Sequence, residues 1–243
     1  MPGYVIHLTE AKIIYDILKK NSQVKNKTMD TWKKDFFYGS LLPDAGGKLQ
    51  KQNSHFWNES ERGNVIMTPD INKFLKKYGV VLNQSPLFWG YLVHLYLDRE
   101  FWKYYIKENV EFLDYNGKPT EYSNDLKSVF IKKINKKISP EEFFSKDYLY
   151  GDYTKLNKVM IHKYHLEMPV YNKYHSNKIE EADNEEMKRV LENLKMHIAN
   201  SPMYATDLTV LSLDTLEGFL KESAQAFIDL YNTDLVRGIE IYE

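Results

Sequence analysis

The chain has no cysteine. That excludes disulfides, thiolate zinc fingers, iron–sulfur clusters and a cysteine nucleophile, so any metal must be held by His, Asp, Glu or main chain. No window approaches about 18 consecutive apolar residues, and a transmembrane segment is not expected. The first residues, MPGYVIHLTEAK, lack the basic start and the apolar run of about 7–15 residues of a secretory signal, so the expectation is a cytoplasmic protein. An excess of one charge is missing as well. Lys and Arg total 33 against 34 Asp and Glu, a formal charge of −1, which offers no field to concentrate a polyanion, and nucleic acid is not an expected partner. Arginine is scarce, limited to Arg62, Arg99, Arg189 and Arg237, while Asn, Tyr and Ile are plentiful. This skew reads as AT-rich coding and points to a low-GC bacterial source.

There is no internal repeat, low-complexity tract or Gly/Ser linker, and the expectation is one mainly α-helical domain over residues 1–243. Thr9 reads as the N-cap of a helix from Glu10 to Lys20 that Asn21 ends, with Ile13, Ile14, Ile17 and Leu18 at helical spacing. Thr68-Pro69-Asp70 supplies a capping hydroxyl, a first-turn proline and an acid, and Gly79 stops the helix that follows. Ser85-Pro86 repeats that start ahead of a segment, Leu87 to Ile106, that is apolar on nearly every side until Asp98 and therefore central and buried. Further helices are expected over Leu126 to Ile134, from Ser139-Pro140 into Glu141 to Ser145, over Glu180 to Ile198 and over Asp214 to Tyr231. Strand-like alternation is scarce, at Val159 to Ile161 and Ile239 to Tyr242. The Lys/Glu-rich stretch from Lys173 to Arg189 reads as a solvated helix face rather than an exposed arm.

The central segment carries Gly90, His94 and Asp98 at i, i+4 and i+8, one stripe of a helix with two polar side chains pointing the same way. Among apolar neighbours such groups need a partner, because an unpaired buried charge costs several kcal/mol. A divalent cation would supply it, with Gly90 leaving space beside it. Pairing of His94 with Asp98, or of Asp98 with Arg99 or a lysine, is the ordinary alternative. Upstream stand two more residues of ligand type, Asp44 and His55, and with His94 and Asp98 they make a chemically sufficient tetrahedral zinc set. Asp44 in Pro-Asp-Ala-Gly also suits a turn, and His55 also suits a solvated loop. His7 is a further candidate, for a second ion near the chain start, or else an ordinary core or surface histidine. His162, His165 and Glu167 have suitable types but no ligand-like spacing. Phe56, Trp57, Phe88 and Trp89 suit either core packing or an apolar substrate pocket.

The succession of His7, Phe37-Tyr38-Gly39-Ser40-Leu41-Leu42-Pro43-Asp44, Ser54-His55-Phe56, Pro69-Asp70 and Gly90 to Asp98 resembles the bacterial zinc-dependent phospholipase C family over about residues 1–105. The resemblance implies a mostly helical fold and a zinc cluster that hydrolyses phosphodiester bonds. It implies one ion held by Asp44, His55, His94 and Asp98, with Asp98 bridging toward a second that His7 and the N-terminal main chain hold. The chain departs from the family in beginning Met1-Pro2 rather than with Trp, and in having no histidine between Asp98 and His162, where the family completes another site. One or two zinc ions, or another divalent metal, are expected rather than three. The expected activity is metal-assisted hydrolysis of a small-molecule or lipid phosphoester, with Asp44 orienting or deprotonating water. A histidine–aspartate phosphohydrolase is excluded by the lack of a His-Asp dipeptide. The alternative from another class is a non-catalytic helical interaction or structural protein with a vestigial or structural metal site.

Overall fold

Ser85 is extended, its hydroxyl accepts from the Leu87 amide at 3.4 Å, and Pro86 occupies the first helical position. These features start a helix whose residues from Pro86 to Asp98 are all buried. The computed structural model describes residues 2–21, 26–47, 51–173 and 179–242. In chain order the helices are α1 (Tyr4–Asn21), α2 (Asn26–Gly39), α3 (Lys51–Ser54), α4 (Ile71–Tyr78), α5 (Pro86–Glu100), α6 (Ile106–Asn109), α7 (Pro140–Phe143), α8 (Leu149–Tyr164), α9 (Asn184–Ala199) and α10 (Leu213–Tyr242). A π-helical turn, Phe101–Tyr105, joins α5 to α6. The fold is mainly α-helical, as the sequence implies. Around α5 pack α1, α2, α4 and α10, and one apolar core runs from Val5 to Ile228. Among the described residues no helix is long and apolar enough to cross a membrane.

The closest approach to α5 is made by α2. A Cβ on Gly90 would run into the Phe36 carbonyl, and one on Gly39 into the Leu87 carbonyl. The two glycines let two backbones meet, as only residues without a side chain permit. Gly90 therefore makes room for α2 rather than for an ion. The consequence for function is direct, because the end of α2 carries Ser40 against α5.

Several boundaries move. Helix α1 begins at Tyr4, not at Thr9: Gly3 O accepts from the Ile6 and His7 amides, and the Thr9 hydroxyl bonds back to Val5 O at 2.7 Å inside the helix. His7 is thereby placed in the first turn, facing the core. Asp70, not Thr68, caps α4, accepting from the Lys73 amide at 3.1 Å, while Thr68 is taken by the Glu61 carboxylate. Helix α9 starts at Asn184 rather than at Glu180, because Asp183 caps it and Glu180 and Glu181 bind Lys77. Residues 174–178 of the Lys/Glu-rich stretch lie outside the described residues. From Asn184 on, Met187 and Val190 are buried and Lys188 and Arg189 are exposed, the solvated helix face that composition suggests.

The expected helix over Leu126 to Ile134 is instead a strand. Strands β1 (Val110–Leu113), β2 (Ser128–Ile131) and β3 (Lys136–Ile138) form an antiparallel sheet in that order, with Val110 opposite Ile131 and Val129 opposite Ile138. Val129 and Ile131 are buried and alternate with Ser128 and Phe130, a period-2 pattern too short to outweigh helical readings in a brief apolar run. Conversely, Val159 to Ile161 lies within α8 and Ile239 to Tyr242 within α10. The Asp152 carboxylate of α8 accepts from the amides of Thr209, Val210 and Leu211 at 2.7–3.0 Å, fixing the segment that leads into α10.

Candidate metal centre

Four separate segments deliver the five expected residues to one place. His7 comes from the first turn of α1, Asp44 from a 3-10 turn (Leu42–Gly46), His55 from the residue after α3, and His94 and Asp98 from successive turns of α5. The side chains of His7, His55, His94 and Asp98 are 0–2 % exposed, and that of Asp44 8 %. His94 Nε2 lies 3.3 Å from His55 Nε2 and 3.6 Å from Asp98 Oδ2. His55 Nε2 lies 3.7 Å from Asp98 Oδ2 and 3.7 Å from Asp44 Oδ1. On the other side His7 Nε2 is 3.4 Å from Asp98 Oδ1, and the His7 and His94 rings stack in parallel with centroids 3.7 Å apart.

The orientation of the rings is determined from outside the cluster. His94 Nδ1 is 2.8 Å from Ser40 O, and His55 Nδ1 is 3.0 Å from Lys51 O. A carbonyl only accepts, so each Nδ1 carries the proton and each Nε2 turns a lone pair inward. Carbonyl partners on the remote nitrogen are the usual way in which metal-ligating imidazoles are aimed. The Tyr91 hydroxyl donates to Ser54 O and holds the segment before His55 against α5. By contrast, both nitrogens of His7 and Asp98 Oδ1 are buried without a hydrogen bond among the described residues. Such groups cost about 1–3 kcal/mol each unless something satisfies them.

Electrostatics point the same way. Burial pushes His7 and His55 well below the usual imidazole range and His94 down to about 4, with the neighbouring His7 adding to the last effect. Burial also pushes the Asp44 and Asp98 carboxyls up, against the pull of His94. Neutral imidazoles are ready ligands, and a cation would reverse the cost of ionising the carboxylates.

The ligand atoms of Asp44, His55 and His94 lie within 4.8 Å of one another, and Asp98 Oδ2 approaches two of the three, His94 and His55, at 3.6 and 3.7 Å. Ligand atoms about 2.0–2.2 Å from a zinc are about 3.3–3.6 Å from one another. Four of the six edges among Asp44, His55, His94 and Asp98 are 3.3, 3.6, 3.7 and 3.7 Å. Mixed imidazole and carboxylate donors suit zinc and other late divalent metals. A second set, His7, His94 and Asp98, also has ligand atoms within 4.8 Å of one another.

The remaining candidates do not join. His162 and His165 are exposed at the end of α8, Glu167 pairs with Lys33 at 2.7 Å, and no ligand group forms from them among the described residues. Phe56 packs edge-on against Phe74 and Tyr91, Phe88 lies against Tyr78, and Trp89 donates to Asn83, so these rings are core. A cavity of about 620 Å³ opens elsewhere, beside Trp102, Lys107 and Glu121. Sequence reasoning misses Glu10, one turn beyond His7: it is fully buried, accepts from Ser223 Oγ at 2.5 Å, and is pushed up to about 8 by burial. The i, i+3 spacing from His7 is the signal that could have found it. No family model, curated protein or solved structure matches the chain.

Proposed function

We propose that the protein is a zinc-dependent hydrolase of phosphoester or phosphodiester bonds, similar to the zinc-dependent phospholipase C family. The observation that carries this reading is the shared carboxylate. Asp98 turns Oδ2 to the set completed by Asp44, His55 and His94, and Oδ1 to an otherwise unpartnered His7. Asp44, His55 and His94 make one three-donor group and His7, His94 and Asp98 another, and three protein donors with a further position open is the pattern of catalytic sites. A divalent ion in such a site lowers the pKa of water toward about 7 and neutralises charge on a phosphoryl oxygen.

The chain's own residues do the rest. Asp44 is the most exposed of the five and sits on a turn, where its carboxylate can orient a water molecule or accept its proton. Ser40 and Lys51 hold two imidazoles in register through their carbonyls, and burial keeps bulk water out. The absence of a histidine between Asp98 and His162 supports one or two ions, not three. The near-complete burial of the ligand side chains also favours a second reading, a non-catalytic helical protein with a structural ion.

Metal analysis of protein purified without chelators, beside His94→Ala and Asp98→Ala and with folding followed by circular dichroism, tests the site. The expected result is near-stoichiometric zinc in the wild type and its loss in both folded variants. Phosphodiester turnover that falls by about 100-fold or more in Asp44→Asn at unchanged zinc content supports catalysis. A wild type that takes up no metal refutes the hydrolase, and bound zinc without turnover on any phosphoester favours the structural ion.

A further inference from the structure

The arm of chain that follows β1 pairs with it and then leaves. Asp114 N donates to Lys118 O at 2.8 Å and Thr120 N to Phe112 O at 2.9 Å, which sets Pro119 opposite Leu113. One residue on, the arm takes another partner: Val65 N donates to Glu121 O at 2.7 Å, and Tyr122 stands opposite Asn64. Residues of β1, of the departing arm and of the 64–66 segment all line the cavity of about 620 Å³. Sites for bound molecules commonly have volumes of about 300–1,000 Å³. Trp102 lines it too, from the π-helical turn, a local geometry that recurs at functional sites.

On the β1 side the wall includes unpaired main chain. Lys132 N donates to Asn109 O and Val110 stands opposite Ile131, so Asn109 and Glu111 turn their hydrogen-bonding groups to β2, and Val110 and Phe112 turn theirs to the other edge. Of the groups so turned, Val110 N is taken by Ile106 O and Phe112 O by Thr120 N. Val110 O and Phe112 N have no partner among the described residues. They flank Glu111 as an acceptor and a donor, and one residue of a parallel strand meets such a pair with its own N–H and C=O. An edge of this kind is a template for further chain.

The charges around the cavity are already matched. Lys107 meets Glu121 at 2.5 Å, and Lys103 meets Glu61 and Lys132 meets Glu111 at 3.8 Å. An ionic ligand would have to displace one of these partners, whereas a neutral amide would not. We propose that the cavity binds an extended, uncharged peptide segment that adds to β1. One residue bonds Val110 O and Phe112 N through its main chain, and an apolar side chain of the same segment enters against Trp102, Val65 and Ile66. None of the five residues of the candidate metal centre lines the cavity, and the proposal does not depend on the hydrolase reading.

The test is a nuclear magnetic resonance titration of the ¹⁵N-labelled full chain with blocked pentapeptides, acetyl-Ala-Ala-X-Ala-Ala-amide, where X is Leu, Phe, Ala, Lys or Glu. The expected result is a shift of the Phe112 amide and its neighbours at millimolar peptide, with Leu or Phe at X binding about tenfold or more tighter than Ala. Methylating the main-chain nitrogen of X removes the donor to Val110 O and should weaken binding by about fivefold or more. Ile66→Lys, which puts a charge into the cavity, should abolish it, while Val80→Ser, at a residue 92 % exposed elsewhere, should leave it alone. The methylated peptide acts on the wild type, so the result stands even where Ile66→Lys fails to fold. Absence of any shift at Phe112, a methylated peptide that binds as well as its parent, or preference for Lys or Glu at X overturns the proposal. A dimeric wild type whose Phe112 amide responds to dilution and not to peptide gives the edge to a second copy of the chain, and overturns it equally.

Discussion

Replacing Asp98 by asparagine should change stability with opposite signs in chelator and in zinc. The side chain keeps its shape and loses its charge. In chelator the wild-type carboxyl is 2 % exposed and Oδ1 lacks a hydrogen bond, a defect of about 1–3 kcal/mol. The amide introduced by Asp98→Asn instead brings its one NH2 group within reach of either His7 Nε2 or His94 Nε2, which lie 3.4 and 3.6 Å from the two present oxygens. Burial raises the Asp98 carboxyl, so its contribution is full at low pH and is lost as pH rises through the raised value. The variant escapes that loss, so the gap in its favour should widen as pH rises from the ordinary carboxylate range through the raised value and then stay level. With zinc the order inverts. A ligand at 1,000 times its dissociation constant stabilises the native state by about 4 kcal/mol, which for a chain of this size raises Tm by about 8–16 °C. Asp98→Asn should forfeit most of that rise, because the carboxylate shared by both donor sets is gone. Thermal melts followed by circular dichroism at pH 8, with and without zinc, decide the matter. Equal zinc shifts in both proteins would place the metal elsewhere and refute the reasoning.

Two further substitutions probe the surroundings. Glu10 is displaced by burial from an ordinary 4.5 to about 8, so its favourable contribution, full below about 4.5, drains away as pH rises to about 8. At about 1.4 kcal/mol per pH unit this amounts to about 5 kcal/mol. Glu10→Gln keeps an acceptor for Ser223, and denaturant unfolding in chelator should show it gaining several kcal/mol on the wild type between pH 5 and 8; parallel curves would exclude the displacement. Gly90→Ala drives a methyl into the Phe36 carbonyl and should cost about 3 kcal/mol or more, loosening the Ser40 contact to His94 and lowering zinc affinity with it. A variant of wild-type stability and zinc content would show that α2 need not approach so closely.

The parts of the molecule that the sequence foretold are those in which local chemistry and burial agree. Ser85-Pro86 starts α5, Ser139 with Glu142 forms a complete capping box on α7, and the apolar run between Leu87 and Leu97 is buried throughout. The spacing of His94 and Asp98 places both on one stripe whatever surrounds the helix. Misread elements are those in which tertiary partners decide. Thr68 looks like a cap until Glu61 takes it, and Leu126 to Ile134 looks helical until β1 and β3 flank it. Lys51 carries no motif and Ser40 acts through its carbonyl, so neither is legible without the fold. The joining of His7 to Asp98 across 91 positions of chain came from an ordered resemblance, not from spacing.

The design of the centre follows from what a helical bundle can and cannot do. A helix offers one stripe, so α5 alone supplies two donors; a tetrahedral set needs others at about 3.3–3.6 Å from them. Those come from segments whose approach is controlled by residues with no ligand role: Gly90 and Gly39 for the end of α2, Gly46 for the turn bearing Asp44, Tyr91 for the segment before His55. The same closeness buries polar groups that the protein alone leaves unsatisfied at His7 and Asp98. On the proposed reading, stability of the empty site and binding of an ion pull in opposite directions, as they do where binding energy is needed to complete a structure. A fold built only for stability would place an apolar residue at position 98, and the buried, poorly satisfied carboxylate found there is the strongest physical reason to look for the cation that completes it.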